Sequence, residues 1–278
     1  MLARVDPKMH IMAKRIFMFF LVLVLATSCK TVPFTGRKQL NFMPNSQLFP
    51  MAFAQYEKFL KEHQLSSNQQ DARRVKQVGH RIVDALNRYL RKHHREDYVK
   101  DYKWEFNLVK DPQKNAWCMP GGKVVVYEGI MDVCQNDAGL ATVMGHEISH
   151  ALANHGGERM SQGLIQQLGA IGVNVATQNK TEKERILWMT AYGLGSQVGV
   201  LLPFSRKQES EADEIGLLLM TMAGYDPNEA LKFWERMEKM AGGAAPPEIL
   251  STHPAHKTRI ANIRRLIPIV KKKAAKYK

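Results

Sequence analysis

The stretch His146-Glu147-Ile148-Ser149-His150 is the most informative part of this chain, because its spacing suits a catalytic metal ion. Two histidines four positions apart leave the same face of a helix, about one turn from each other. Each can offer a neutral imidazole nitrogen to one zinc ion. Glu147 is placed to accept a proton from a water molecule at that ion. The flanking residues predict the helix itself: Asn136 or Asp137 can cap its start and Gly156 can end it.

The identity of a third ligand is less direct. A catalytic zinc ion usually takes three protein ligands and leaves one position open. A histidine six residues after His150 is absent, and His155 is one residue out of register, where a helix end suits it better. Further along the chain, a predicted helix is dense in acids. Its Glu209 and Asp213 are four residues apart, so one can bind zinc while the other hydrogen-bonds a ligand histidine. Spacing alone leaves Glu209 and Glu211 both open as the third ligand.

These motifs together resemble a known family of peptidases. The histidine motif, the spacing from Glu209 to Asp213 and Gly216 are similar to the gluzincin family that contains the heat-shock protease HtpX, the CAAX prenyl endopeptidases and the OMA-type mitochondrial stress protease. The family also contains periplasmic quality-control lipoproteins. Residues 35–40, residues 115–122 and the segment around His253 resemble this lipoprotein branch.

The resemblance implies a fold and a set of roles. The fold is expected to be α+β, mainly α with a small β-sheet: a zincin-like metalloprotease domain with an edge-strand hairpin. One Zn²⁺ would be held by His146, His150 and Glu209, and Glu211 would stay unligated. Glu147 would be the catalytic base, and Asp213 would orient a ligand histidine.

Two residues near the end of the chain receive their roles from the resemblance as well. A lone loop histidine such as His253 is ordinarily a surface residue. The family match instead places it near the zinc, as a fourth ligand that closes the site or as a donor to the oxyanion. Arg259 would anchor the same loop or stabilise the same negative charge.

The first residues predict export. Lys14 and Arg15 precede an apolar run at residues 16–26, and Cys29 follows two small residues, a pattern typical of a lipoprotein signal. An uncleaved anchor and ordinary cleavage are the alternatives. We therefore expect a signal peptide at residues 1–28, a tether at 29–50 and a single zinc metalloprotease domain at 51–278.

Charge and cysteine content fit an exported protein. The formal net charge is +14, and it is +11 without residues 1–28, a balance suited to an anionic membrane surface. Nucleic acid is not an expected partner outside the cytoplasm. Cys118 and Cys134 flank a predicted strand, and an oxidising compartment allows a disulfide between them. Two buried thiols are the alternative.

The remaining patterns concern the cleft. Residues 104–109 alternate as a strand, and residues 115–119 and 123–127 flank a Pro-Gly-Gly turn. The edge of this hairpin could hold an extended peptide by its backbone, or the hairpin could serve packing only. Two charge-free stretches follow at 164–177 and 186–204. The second is long enough to span a membrane, but both contain polar residues, so we expect a soluble helical pair that covers the cleft.

The sequence therefore predicts a zinc-dependent endopeptidase of the bacterial cell envelope. It would be periplasmic, anchored through lipidated Cys29 to a membrane, the outer one in preference to the inner, and would degrade misfolded or misassembled envelope proteins. The alternative is an outer-membrane assembly factor or chaperone with a latent or structural zinc site. Hydrolysis of a non-peptide amide, such as a cell-wall crosslink, is a weaker third possibility. The oligomeric state is not indicated.

Overall fold

The computed structural model describes residues 29–241, 249–253 and 257–277. The predicted signal peptide, residues 1–28, lies outside the described residues. Most described residues are helical, and the strands form two small sheets. The expected class, mainly α with a small β-sheet, is confirmed.

The elements follow the chain in a simple order. They are β1 (Cys29–Thr31), β2 (Lys38–Leu40), α1 (Asn45–Glu62), α2 (Gln69–Lys92), β3 (Glu105–Val109), β4 (Ala116–Met119), β5 (Lys123–Tyr127), α3 (Glu128–Cys134), α4 (Asp137–Leu152), α5 (His155–Ala176), α6 (Glu182–Ser196), α7 (Leu202–Met222), α8 (Asn228–Ala241), α9 (Ile249–Thr252) and α10 (Lys257–Ala274). A turn of π-helix, Gln197–Leu201, joins α6 to α7 without a break.

The larger sheet has the order β3-β5-β4, with β5 parallel to β3 and antiparallel to β4. The predicted hairpin is thus present, and within the described residues the other edge of β4 pairs with no strand. Its turn requires glycine, since Gly121 and Gly122 have φ values of +86° and +94°. A Cβ atom at Gly121 would lie 2.6 Å from the Phe53 ring, and one at Gly122 would lie 2.7 Å from the Trp104 ring.

Alternation along β5 places the sheet between two helical layers. Val124 and Val126 face the main core with α2 and α4, whereas Val125 and Tyr127 face α1, where Tyr56 packs against them. Helix α4 lies at the centre, and every residue from Gly139 to Leu152 is buried. The motif helix is therefore fixed by packing on all sides.

Residues 29–50 differ from the expected tether. Residues 29–40 form the antiparallel β1–β2 hairpin, in which Val32 is fully buried, and α1 begins at Asn45. The segment is part of the folded unit, because a buried side chain and buried polar contacts hold it to α5 and α7. The end of the motif helix also differs from expectation. It ends at Leu152, and the chain turns at Asn154, whose φ is +52°, so Gly156 lies inside α5.

Helices α5 and α6 extend away from this core. Buried residues of α5 lie only in its first two turns, and α6 has none. We had expected the pair to act as a buried cover, but its outer surfaces face solvent. The continuous helix Glu182–Met222 is long and apolar enough to cross a membrane, judged by length and composition, and none of its apolar window is buried.

The two cysteines for which a disulfide remained open are both free thiols. Burial raises the pKa of the Cys134 thiol to about 12 and holds that of Cys118 well above its usual range, where the nearby Glu147 carboxylate adds to the effect. Both thiols are therefore protonated at neutral pH.

Candidate metal centre

Helix α4 delivers the three motif residues to one place. His146, Glu147 and His150 are only 3%, 4% and 5% exposed. Asn136 caps the helix, since its side chain accepts a hydrogen bond of 2.8 Å from the backbone N–H of Gly139. The rigid helix fixes both imidazoles on the same side.

Helix α7 brings the acidic residues to the same place by an unusually close crossing. Gly216 faces Gly145, and a Cβ atom on Gly216 would lie 2.9 Å from the backbone of Gly145 and His146. Side chains at this crossing would hold the helices apart. The two glycines therefore let Glu209 and Asp213, one and two turns earlier on α7, reach the histidines.

We expect Gly216→Ala to destabilise the protein and weaken metal binding together. The added methyl group meets backbone, which cannot move aside, so a cost of about 1–3 kcal/mol is expected, or roughly 2–4 °C in Tm per kcal/mol. Gly163→Ala is the matched control, because nothing lies within 4 Å of a Cβ atom there. It should hold or raise Tm, since alanine favours the helix. Calorimetry and zinc titration measure both effects, and equal Tm values for the two variants would contradict the role of the crossing.

Four side chains converge at this point: His146, His150, Glu209 and His253. His146 Nε2 lies 3.0 Å from His150 Nε2 and 3.1 Å from His253 Nδ1. The Glu209 oxygens lie 3.3 Å from His146 Nε2, 3.4 Å from His150 Nε2 and 2.9 Å from His253 Nδ1. Ligands held at about 2.0–2.1 Å from a tetrahedral zinc ion are separated by about 3.3 Å, so the four donors match the edges of such a tetrahedron.

The fit to a metal ion has a second support in Glu147. Its Oε1 atom is buried without a hydrogen-bond partner, and it lies 3.6 Å from His253 Nε2. An unpaired buried carboxylate oxygen is costly unless another group, such as water at a metal ion, satisfies it. The donor set of two or three imidazoles and one carboxylate is typical of zinc.

Asp213 and Arg259 form a buried pair behind His146. Arg259 donates from Nε and Nη2 to the two Asp213 oxygens, at 2.9 and 2.6 Å, and Asp213 Oδ1 lies 3.0 Å from His146 Nδ1. The Arg259 guanidinium also stacks 3.5 Å from the centre of the Trp234 ring and donates to the backbone carbonyl of His253 at 3.4 Å. One arginine thus contacts the carboxylate behind one candidate ligand and the backbone of another.

A second chain of contacts lies behind His150, through a residue that the sequence did not single out. His155 is fully buried at the start of α5, with its Nδ1 atom 2.8 Å from His150 Nδ1. Its Nε2 atom lies 3.0 Å from Glu211 Oε2. Glu211 therefore does not join the metal donors. It faces the other side of α7 and supports a candidate ligand indirectly, as outer carboxylates commonly do.

The hairpin near the start of the described chain completes this second chain of contacts. Arg37 donates from Nε to Glu211 at 2.7 Å and from both terminal nitrogens to Glu158 at 2.7 and 2.8 Å. Thr35 donates to the other oxygen of Glu211. The sequence singled out residues 35–40 through the family resemblance, but their place beside the histidines was not foreseen.

The electrostatics separate the two motif histidines. Burial and Arg259 lower the pKa of His146, but hydrogen bonds to Asp213 and Glu209 outweigh them and raise it to about 9. Burial holds the pKa of His150 well below its usual range. Although burial raises the pKa of Glu209, the hydrogen bonds from His146 and His253 lower it well below its usual range. His150 and Glu209 are thus in their ligating forms at neutral pH, and metal binding at His146 would release a proton.

Comparison with known proteins adds a family to this geometry. The model of peptidase family M48 matches residues 69–267, which include α4 and α7 with all the motif residues. This chain belongs to peptidase family M48. Peptidases of this family use zinc, and the donors described above can hold one such ion.

Relatives within the family come from mitochondria and from bacteria. The chain is 39% identical over 171 residues to the mitochondrial metalloendopeptidase OMA1 of Schizosaccharomyces pombe, which covers 61% of this chain and 48% of the relative. It is 29% identical over 262 residues to human OMA1, covering 91% of this chain and 48% of the relative. It is 30% identical over 166 residues to the beta-barrel assembly-enhancing protease of Escherichia coli, covering 58% and 34%. The chain thus spans about half the length of the curated relatives it matches, or less.

Proposed function

We propose that this chain is a zinc-dependent endopeptidase of the bacterial cell envelope that degrades misfolded or misassembled proteins. The observation that carries the proposal is the tetrahedral spacing of His146, His150, Glu209 and His253, with the unpaired Glu147 carboxylate beside them. Membership of the M48 peptidases supports the same reaction class.

The residues of the site divide the work of peptide hydrolysis. When bound, zinc acidifies water and polarises the carbonyl of the bond to be cut. Glu147 accepts a proton from the attacking water and returns it to the leaving amine. Asp213 holds the ring of His146 through Nδ1, so that Nε2 faces the ion. Arg259 keeps Asp213 ionised, because its charge lowers the pKa of that carboxyl despite burial.

Strand β4 is the proposed support for the substrate backbone. It packs against α4, and Cys118 lies close enough to Glu147 to feel its charge. A cleft of about 440 Å³ runs between α1 and all of Trp117, Cys118 and Met119. An extended peptide that adds to a sheet edge is held by its main chain, whatever its side chains. This mode of binding suits unfolded polypeptides of varied sequence.

The proposed location rests on the start of the sequence and on relatives. The apolar run at residues 16–26 ends just before Cys29, the residue that lipoprotein processing would modify. The name of the Escherichia coli relative places that protein in the service of β-barrel assembly. We therefore place this chain in the periplasm, lipid-anchored to the outer membrane in preference to the inner one.

Metal removal tests the proposed reaction. Purified protein should cleave an unfolded substrate such as casein, lose at least about 100-fold of its rate on treatment with a chelator, and regain it with one equivalent of zinc. Tm should fall as the metal leaves, because zinc stabilises the folded state that binds it. Cleavage that persists in metal-free protein would contradict the proposal.

The position of His253 supports a gated site and keeps the chaperone alternative open. Its Nδ1 atom lies within 3.1 Å of donors on both α4 and α7, at the fourth corner that a substrate or water would need. We expect His253→Ala to raise the rate of peptide cleavage several-fold and to retain zinc, since three ligands remain.

A peptidase assay with metal analysis separates the alternatives. His80→Ala is the matched control, because His80 is an exposed histidine on α2 and should leave the rate unchanged. If neither the wild type nor His253→Ala cleaves any peptide while both hold zinc, the site is structural and the assembly-factor alternative stands.

A further inference from the structure

Large apolar side chains are concentrated on one exposed part of the molecule. We define the arm as residues 160–204, which comprise most of α5, all of α6 and the start of α7. Fifteen of the eighteen large apolar side chains that are exposed in the described residues belong to it, among them Leu168, Ile171 and Leu187 at 56%, 60% and 68%. Scattered apolar residues are ordinary on a soluble surface, but a continuous patch of this size marks an interaction site.

The polarity of the arm is reversed relative to a helix pair in water. Between the helices, Gln166 Nε2 donates to Ser196 Oγ at 2.9 Å, and the Tyr192 hydroxyl donates to the backbone carbonyl of Gln166 at 2.9 Å. Gly169 lies directly against the Tyr192 ring. The outer face of α5 is an apolar stripe formed by Leu164, Ile165, Leu168, Ile171 and Val175. Polar and small residues at the helix contact, with apolar ones outside, are typical of helices in lipid.

The charges of the arm are confined to its ends. Residues 164–177 and 186–204 carry none, whereas the connecting turn contains Lys180, Lys183 and Arg185 with two glutamates. The shorter stretch is about 21 Å long, too short to cross the roughly 30 Å core of a bilayer. Trp188 follows the basic turn and is 56% exposed. Tryptophan beside basic residues suits the headgroup level of a membrane.

The base of the arm lies next to the hairpin that begins the described chain. A cavity of about 680 Å³ is lined by Leu40 of β2 together with Ile165 and Phe204 of the arm. Leu40 pairs with Cys29 across the hairpin, and the apolar run of residues 16–26 comes just before Cys29. The arm and the membrane-directed start of the sequence therefore lie on the same side of the molecule.

We propose that the arm binds a lipid bilayer and inserts its apolar side chains at the boundary between headgroups and acyl chains. Lipid suits the arm better than a second copy of this chain, because its apolar residues surround a polar helix contact and are not gathered on one flat face. The proposal is independent of peptidase activity. It adds a second membrane contact to any anchor at the start of the chain and orients the metal centre relative to the surface.

Tryptophan fluorescence tests the proposal in the full chain, since residues 1–28 contain no tryptophan and Trp188 is the most exposed of the four. Vesicles of phosphatidylethanolamine and phosphatidylglycerol with brominated acyl chains should quench the wild type. Trp188→Phe should remove more than half of that quenching, whereas Trp104→Phe should leave most of it. Equal quenching in the wild type and Trp188→Phe would overturn the proposal.

Charged substitutions provide a second measurement that does not depend on one fluorophore. Ile186→Glu with Leu187→Glu should abolish the quenching of Trp188. Met51→Glu with Leu65→Glu should not, although those side chains are similarly exposed at 56% and 49%. Without vesicles, aqueous iodide should quench Trp188 equally at low and high protein concentration. Protection that grows with concentration would mean that a second copy covers the arm, and would overturn the lipid assignment.

Discussion

Glu147→Gln is expected to lose about 10²- to 10⁴-fold in the rate of peptide cleavage while retaining one zinc ion per chain. Glutamine has the shape of glutamate but cannot accept the proton that the attacking water must give up. The Glu147 Oε1 atom is buried and unpaired, so it makes no structural hydrogen bond that the substitution would break. A loss of folding is therefore not expected.

Rate, metal content and Tm must be measured on the same preparation of Glu147→Gln. An unchanged Tm with full zinc occupancy and no cleavage assigns the loss to chemistry. Substantial cleavage by this variant, in protein freed of contaminating proteases, would remove Glu147 from the catalytic role and direct attention to another base. Loss of zinc would instead show that the carboxylate takes part in holding the ion.

Glu209→Gln is expected to lower zinc affinity by at least about 100-fold, because it replaces the one anionic ligand by a neutral amide. Glu211→Gln should lower it less, by about 10- to 100-fold, since Glu211 acts through His155 on the ring of His150. Zinc affinity, measured by competition with a coloured chelator, gives this ranking without reference to turnover.

The matched control for these two variants is Glu214→Gln. Glu214 lies on the same helix but pairs with Lys273 at 2.9 Å, away from the histidines. It should bind zinc like the wild type. If Glu211→Gln proved the more damaging of the two, the assignment of Glu209 as ligand would be wrong, and the acid left open by spacing would take its place.

The motif helix could be predicted because its evidence is local. The interval from His146 to His150 matches the helical repeat, and Asn136 caps the helix as expected. The choice between Glu209 and Glu211 could not be made from spacing, because residues two apart point to opposite sides of a helix and only its packed orientation selects one. That orientation comes from Gly216 against Gly145, a contact between residues far apart in sequence.

The contributions of His155 and residues 29–40 depended on long-range contacts and were missed. His155 reaches His150 only because Asn154 adopts a left-handed conformation and redirects the chain, which spacing does not reveal. Arg37 pairs with residues 121 and 174 positions away. The prolines and glycine around it are typical of a loose linker, and no periodic pattern indicated a strand.

The hairpin contact has a practical consequence for the smallest unit that can work. The residues matched by the family model, 69–267, exclude Arg37, the cation that neutralises Glu158 and Glu211, which are buried at 1% and 6% exposure. Removing one partner of such a buried pair costs about 3–5 kcal/mol. A protein trimmed to the family boundaries would therefore be expressed with two uncompensated acids behind the metal centre, and its inactivity would say nothing about the full chain. Any fragment meant to retain zinc must begin before β1.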